Sequence, residues 1–231
     1  MAAGVLGANP RSLSVDRPVD TSRLGGTVLV MTAPSPVGDS SNNLERFEQI
    51  ASDRRSSLKV DPDIAIDDEL LDRLITVAAT APNHKRTFPW RFRVITGDGR
   101  AQLGNAFALD LETAGEADAK IEKARTKYQR APVIVAVAAM AGVDETMTAE
   151  NRDAVSAAIQ TLLLGATAAG LASYWSTGGA MNSTGVKEFC QFNATDTMVG
   201  LIYLGWPTGD PPALERPAPE SIRIGRSTTT P

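Results

Sequence analysis

The sequence predicts an α+β fold in which a sheet is flanked by helices. Three observations carry that reading. Pro132 to Met140 is an unbroken apolar run with many β-branched residues, which suits a strand covered on both faces. Arg152 to Leu171 is rich in Ala and Leu on nearly every face, the pattern of a helix enclosed by other elements. Helix and strand signals alternate, yet no strand is followed by Gly-x-Gly-x-x-Gly, which argues against a Rossmann dinucleotide unit.

Taken in order, residues 1–43 are rich in Ala, Gly, Pro, Ser and Asp without a sustained period. They read as an N-terminal extension, disordered or draped over the body. Met31 is an alternative start of translation, which the N-terminal mass of the native protein would decide. The folded domain is expected over 44–224. Leu44 to Asp53 is a short helix. Asp67-Asp68-Glu69 opens another, in which Leu70, Leu71, Leu74, Ile75 and Ala78 recur at helical spacing. Its acidic first turn suits the positive end of the helix dipole. Arg91 to Thr96 alternates and ends at Gly97-Asp98-Gly99, a strand followed by a turn. Ala114 to Gln129 is a charged helix, and the buried strand and long buried helix follow it. Leu171 to Trp175 is a strand opening into the Gly178-Gly179 turn. Ser183 caps a helix that runs through Phe192. Met198 to Leu204 is a second buried strand, stopped by Gly205-Trp206-Pro207, and residues 225–231 are a frayed end. No internal repeat is visible.

The bulk properties exclude several functions. A chain of 231 residues with 42% hydrophobic and 22% charged residues fits one soluble domain. A net charge of −4 gives no basic surface for non-specific nucleic-acid binding. One cysteine, Cys190, rules out an internal disulfide framework and fits a reducing compartment. It lies in the apolar stretch Val186–Phe192 and reads as a buried structural thiol. With one His beside one Cys, a His/Cys metal cluster is not expected. No stretch reaches the roughly 18 apolar residues of a membrane span. Gly25 to Val30 is too short and too late for a signal-peptide core, so a cytoplasmic protein without a membrane partner is expected.

Three segments carry chemistry. Arg54-Arg55-Ser56, with Lys59 close behind, puts two planar guanidinium forks and a hydroxyl together at the end of a short helix. That set matches the acceptors of a phosphate, although adjacent arginines are also common on solvated surfaces. Ala81-Pro82-Asn83-His84-Lys85-Arg86-Thr87-Phe88-Pro89-Trp90 holds the single histidine in a loop stiffened by two prolines and leads into a strand. Trp175-Ser176-Thr177-Gly178-Gly179 is a turn whose glycines permit close backbone approach to a planar ring. The combination suggests a phosphate-bearing cofactor with a polar loop beside its ring. Lys120, Lys123, Lys127 and Arg130 either mark the pocket mouth and attract nucleotide phosphates or form a solvated helix face.

These segments, from about Leu44 to Pro207, resemble the nitroreductase-like family of FMN-dependent NAD(P)H oxidoreductases, and its short single-domain bacterial members most of all. The resemblance implies a nitroreductase-like sandwich with a central mixed or antiparallel sheet, assembled as a domain-exchanged homodimer with FMN at the subunit interface. It implies that Arg54, Arg55 and Ser56 hold the ribityl-phosphate end of FMN, and that His84 contacts the flavin of the partner subunit. It assigns Thr80, Trp175, Ser176, Thr177 and Gly178 to FMN binding, and a late basic residue, Arg216 or Arg226, to the phosphate. NAD(P)H is the implied co-substrate, departing before a nitroaromatic, quinone or similar electron-poor acceptor enters, in ping-pong order. The flavin carries the chemistry, so no protein catalytic residue and no metal are expected. The chain departs from the family pattern at four places. Thr80 and Ser176 stand where members have Arg, Phe88 where they commonly have Gln before Pro-Trp, and Arg86 where they often have Asn. Those changes leave two alternatives open: a specialised flavin enzyme, dehalogenating or flavin-fragmenting, and a flavin-storage or redox-sensing protein with little turnover.

Overall fold

The computed structural model describes residues 40–211, 213–222 and 224–225. Its elements run α1 (Ser40–Asp53), α2 (Asp68–Ala78), β1 (Trp90–Ile95), α3 (Gly99–Thr113), α4 (Asp118–Thr126), β2 (Val133–Ala139), α5 (Glu145–Ala168), β3 (Ala172–Ser176), α6 (Thr184–Phe189) and β4 (Thr197–Gly205). The strands form one sheet in the order β1-β2-β4-β3, and every pairing is antiparallel. The expectations for residues 1–39 and 226–231, including Met31 and Arg226, lie outside the described residues. Among the described residues no helix is long and apolar enough to cross a membrane.

The apolar run of β2 is explained by burial on both faces. Val133, Val135, Val137 and Ala139 join α2 and α5 in one core, with Leu71, Leu74, Ile159 and Leu162 packed against them. Ile134, Ala136 and Ala138 point to the other face, toward Leu103, Phe107 and Ala108 of α3 and Ile121 and Ala124 of α4. Strand alternation thus divides one hydrophobic segment between two cores. The sheet flanked by helices is as expected, and its pairing is antiparallel.

Several boundaries differ from the sequence reading. The helix expected over Ala114–Gln129 is instead the end of one helix, a break, and a second short one. Gly115 takes φ +69, its N–H bonds to the Glu112 carbonyl and that of Glu116 to the Leu111 carbonyl, which closes α3 in a left-handed cap. The run after Gly97-Asp98-Gly99 is therefore helix α3, a segment the sequence reading left without an element. Helix α5 begins well before Arg152, where Asp144 accepts a 2.7 Å bond from the Met147 N–H. Ser183 caps α6 through the Val186 N–H at 3.0 Å, but that helix ends at Phe189 rather than Phe192. Cys190 closes it, buried, and burial pushes its thiol up to about 12, so it is an inert packing group.

Tyr128, in the helical turn after α4, is fully buried against the Tyr203 ring, and among the described residues its hydroxyl has no hydrogen-bond partner. Burial, more than the neighbouring Tyr203, raises its pKa. Removing an unpartnered buried hydroxyl relieves a desolvation cost, so Tyr128→Phe is expected to unfold at equal or higher urea, a gain of up to about 1 kcal/mol. A loss of more than about 1 kcal/mol in urea unfolding would show that the hydroxyl has a partner in solution.

Candidate functional site

Arg54, Arg55 and Ser56 leave the C-terminus of α1 and run beside the sheet edge. Ser56 forms a parallel bridge with Ser173 of β3, and the Ser57 N–H donates to the Ser173 carbonyl at 2.9 Å. Further on, Val60 bridges Pro207, and the Asp61 N–H donates to the Trp206 carbonyl at 3.0 Å. The anchor is thus held by backbone pairing along β3 and the end of β4.

The guanidinium groups have different tasks. Arg216 donates to the Ser52 carbonyl at 3.0 Å and to the Arg54 carbonyl at 2.9 Å. Arg55 donates to the same two carbonyls. These are open acceptors at the negative end of α1, where cations are favoured. The side chain of Arg54 has no such acceptor, and among the described residues no carboxylate pairs with any of the three. Partial burial, then Arg216 and Arg55, hold the Arg54 pKa below its ordinary value. The Nε of Arg55 is buried and has no partner among the described residues. Cations gathered without a counter-charge among the described residues could hold an anion, and a phosphate has acceptors that match them. Of the two late basic residues, Arg216 stands at this anchor, and Arg226 lies outside the described residues.

Strand β3 carries the second segment. Trp175 and Ser176 are half-buried, whereas Thr177 and Gly178 are exposed at the turn that follows. The Trp175 indole lies across Gly200, where a Cβ would come 2.3 Å from its Nε1. That Nε1 donates to the Val199 carbonyl at 3.1 Å. Pairing between β2 and β4 shifts register at Val137/Ala138, which leaves Val199 as the extra residue of a bulge. Trp175 thus satisfies a carbonyl freed by the bulge and braces the edge strand. Gly178 has φ +110 and ψ −154, a conformation essentially confined to glycine, so this turn depends on that residue.

Thr80 follows the end of α2, and His84 lies in the loop that enters β1 at the opposite edge. The Thr80 hydroxyl donates to the Val77 carbonyl at 2.7 Å, beyond the end of α2. His84, Lys85 and Arg86 are exposed on a short helical turn before β1. Lys85, Arg86 and Phe88 all have φ between 45 and 54, a strained arrangement for non-glycine residues. The loop is held by cross-bracing. The Phe88 N–H donates to Asn83 at 3.0 Å, and the Thr87 hydroxyl donates at 2.8 Å to Asn151, which is buried in α5. Asn151 in turn donates to the Met140 carbonyl at 3.0 Å. Phe88 remains 57% exposed, its ring edge-on to Trp90 at 6.0 Å.

The expected site therefore falls into two groups. Arg54, Arg55 and Ser56 share the β3 edge with Trp175, Ser176, Thr177 and Gly178. His84 lies in the loop that enters β1, the strand at the other edge of the sheet, and Thr80 follows the end of α2. One chain does not bring the groups together.

A feature that the sequence reading left incomplete lies beside the Gly178 turn. Phe107 and Leu111 of α3, Lys120, Lys123 and Ala124 of α4, Lys127, Gly179 and Asn182 line a cleft of about 480 Å³. Leu103, Phe107 and Leu111 recur every fourth residue, the signal that would have revealed α3 and its aromatic floor.

A sequence model described as the nitroreductase family matches residues 51–206. The candidate NAD(P)H nitroreductase YdjA of Escherichia coli strain K12 is 30% identical over 165 residues, covering 71% of this chain and 89% of that protein. The crystal structure of a nitroreductase-like family protein from Bacillus cereus superposes with a TM-score of 0.68 at 22% identity, covering 84% of this chain and all of the other. A candidate nitroreductase from Desulfovibrio desulfuricans, solved in complex with FMN, superposes with a TM-score of 0.56 at 23% identity, covering 74% and 91% of the respective chains.

Proposed function

This chain belongs to the nitroreductase family, and from that premise we propose that it is an FMN-dependent oxidoreductase that uses NAD(P)H to reduce electron-poor acceptors such as nitroaromatics and quinones. The observation that carries the reading is the cationic anchor. Arg54 and Arg216 stand beside the end of α1 without a carboxylate partner among the described residues, on the edge of the strand that leads to the Gly178 turn. FMN complements that arrangement, because its phosphate can take the unpaired Arg54 fork while its ring meets the open turn at Thr177 and Gly178. When bound, FMN supplies electron transfer between a nicotinamide donor and the acceptor.

The protein's own part is binding and positioning. Arg54 and Arg216 neutralise the phosphate, and Arg55, engaged with the Ser52 and Arg54 carbonyls, holds the backbone that presents them. The glycine turn offers backbone amides without side-chain obstruction. In a homodimer, the exposed His84 and Phe88 of one subunit complete the site of the other. Their separation from the anchor within one chain supports this assembly, as do the exposed Leu44 and Phe47 on α1. Ligand binding at a shared site stabilises the assembly by mass action.

The test is the visible spectrum of purified protein, recorded after desalting, after adding FMN, and then with NADH or NADPH. A flavin band that bleaches with nucleotide and returns with a quinone is expected. No retained band after FMN is supplied would end the proposal. A band that never bleaches would favour a flavin-storage role. In sedimentation, a concentration-independent monomer that holds FMN tightly would remove the dimeric site.

A further inference from the structure

We propose that the cleft beside the Gly178 turn selects ligands that carry a negative charge on a flat aromatic body, an aromatic carboxylate being the simplest. As a statement about acceptors, this rests on the oxidoreductase reading above. Lys120, Lys123 and Lys127 recur at spacings of three and four, so all three face one side of α4 and its continuation. That side lines a cleft of about 480 Å³ whose floor includes Phe107; Lys120 and Lys123 are exposed there and Lys127 is half-buried. The volume is within the usual range for a small-molecule site, and Gly179 joins its wall directly to the turn after β3.

The charge in the cleft is unbalanced. Glu116 is the one carboxylate in its lining, and Lys120 already engages it. On the neighbouring surface, Arg125 engages both Glu112 and Glu122. Among the described residues, Lys123 and Lys127 have no carboxylate partner. Lys127 is half-buried, its ammonium 4.4 Å from the Phe107 ring centroid and 4.8 Å from that of Tyr128. Burial, then Arg130 and Lys123, hold its pKa below the ordinary value, and an anion in the cleft would relieve that strain. A solvated helix face has no need of an apolar floor or of a partly desolvated lysine. An aromatic anion uses both, the ring lying on the apolar floor and the carboxylate meeting Lys123 and Lys127.

The experiment compares 4-nitrobenzoate with its neutral methyl ester. Dissociation constants are read by ligand-observed NMR on FMN-supplemented full-length protein at low ionic strength, so the readout does not depend on turnover. The acid is expected to bind about tenfold more tightly than the ester. That gap should close in Lys123→Met/Lys127→Met and survive in Lys123→Arg/Lys127→Arg, which keeps the charge. Equal affinities for acid and ester, or a gap untouched by the Met substitutions, would overturn the proposal. So would a double Met variant that loses affinity for NADPH alone, because the lysines would then serve the nucleotide phosphates. Selective binding of the acid by a protein that never oxidises NAD(P)H would uphold the anion-selective cleft and remove the oxidoreductase reading.

Discussion

Arg54→Ala is expected to weaken FMN binding about 30-fold, near the middle of the range for losing a charge-assisted hydrogen bond to a phosphate. The physical reason is the difference between Arg54 and its neighbours. Arg55 and Arg216 donate to the Ser52 and Arg54 carbonyls, so part of their donor capacity is committed within the protein. The Arg54 fork has no acceptor there among the described residues, and burial and then the neighbouring cations lower its pKa. A phosphate gains most from this group, and the fold loses least when it is removed. Arg54→Lys keeps the charge but not the planar fork and should recover only part of the affinity. Fluorescence titration with FMN measures both variants, and thermal melting without FMN checks that the fold is intact. An unchanged dissociation constant for Arg54→Ala would move the phosphate away from this anchor.

The second large effect is on stability. Gly104→Ala should cost about 3 kcal/mol and lower the melting temperature by roughly 6–12 °C. Gly104 is where α3 and α4 approach most closely, and a Cβ there would come 2.2 Å from the Arg125 carbonyl oxygen and 3.0 Å from that of Ala124. The nearest atoms are all backbone, so no side chain can rotate aside. The two helices must part, loosening Leu103, Phe107, Ile121 and Ala124 in the core on that face of the sheet. Gly209 has nothing within 4 Å of its would-be Cβ, so Gly209→Ala is the neutral comparison. If both variants melt within a couple of degrees of the wild type, the helix pair is not packed as described. Because the same helices carry Phe107 and the lysines, Gly104→Ala should also blunt any preference for anionic ligands.

Much of the fold was legible because its strongest signals are local. The apolar run that became β2, the acidic opening of α2 and the Ser183 cap each follow from short-range chemistry. Helix α3 was missed because Gly97-Asp98-Gly99 reads as a turn, and it does begin as one, with Gly97 at φ +51. Its core positions include Gly104 and Ala108, which add little hydrophobicity to the pattern, so the recurrence of Leu103, Phe107 and Leu111 was easy to overlook. The break at Gly115 was hidden by helix-forming residues on both sides. A left-handed cap depends on which carbonyls remain open, and the sequence does not display them.

For the site, the sequence by itself determined the parts: two adjacent arginines with a serine, one histidine in a proline-bounded loop, a glycine turn and a row of lysines. These are matters of residue chemistry and spacing along one segment. Tertiary structure alone decided how the parts are grouped. It put Arg216 at the anchor, aligned Ser56 with Ser173 on the edge that leads to Gly178, and set His84 across the full width of the sheet. It also set Lys127 against Phe107 of α3. The reason is that strand order and helix packing join segments far apart in sequence through backbone pairing and burial. Neither leaves a mark at the residues that come together.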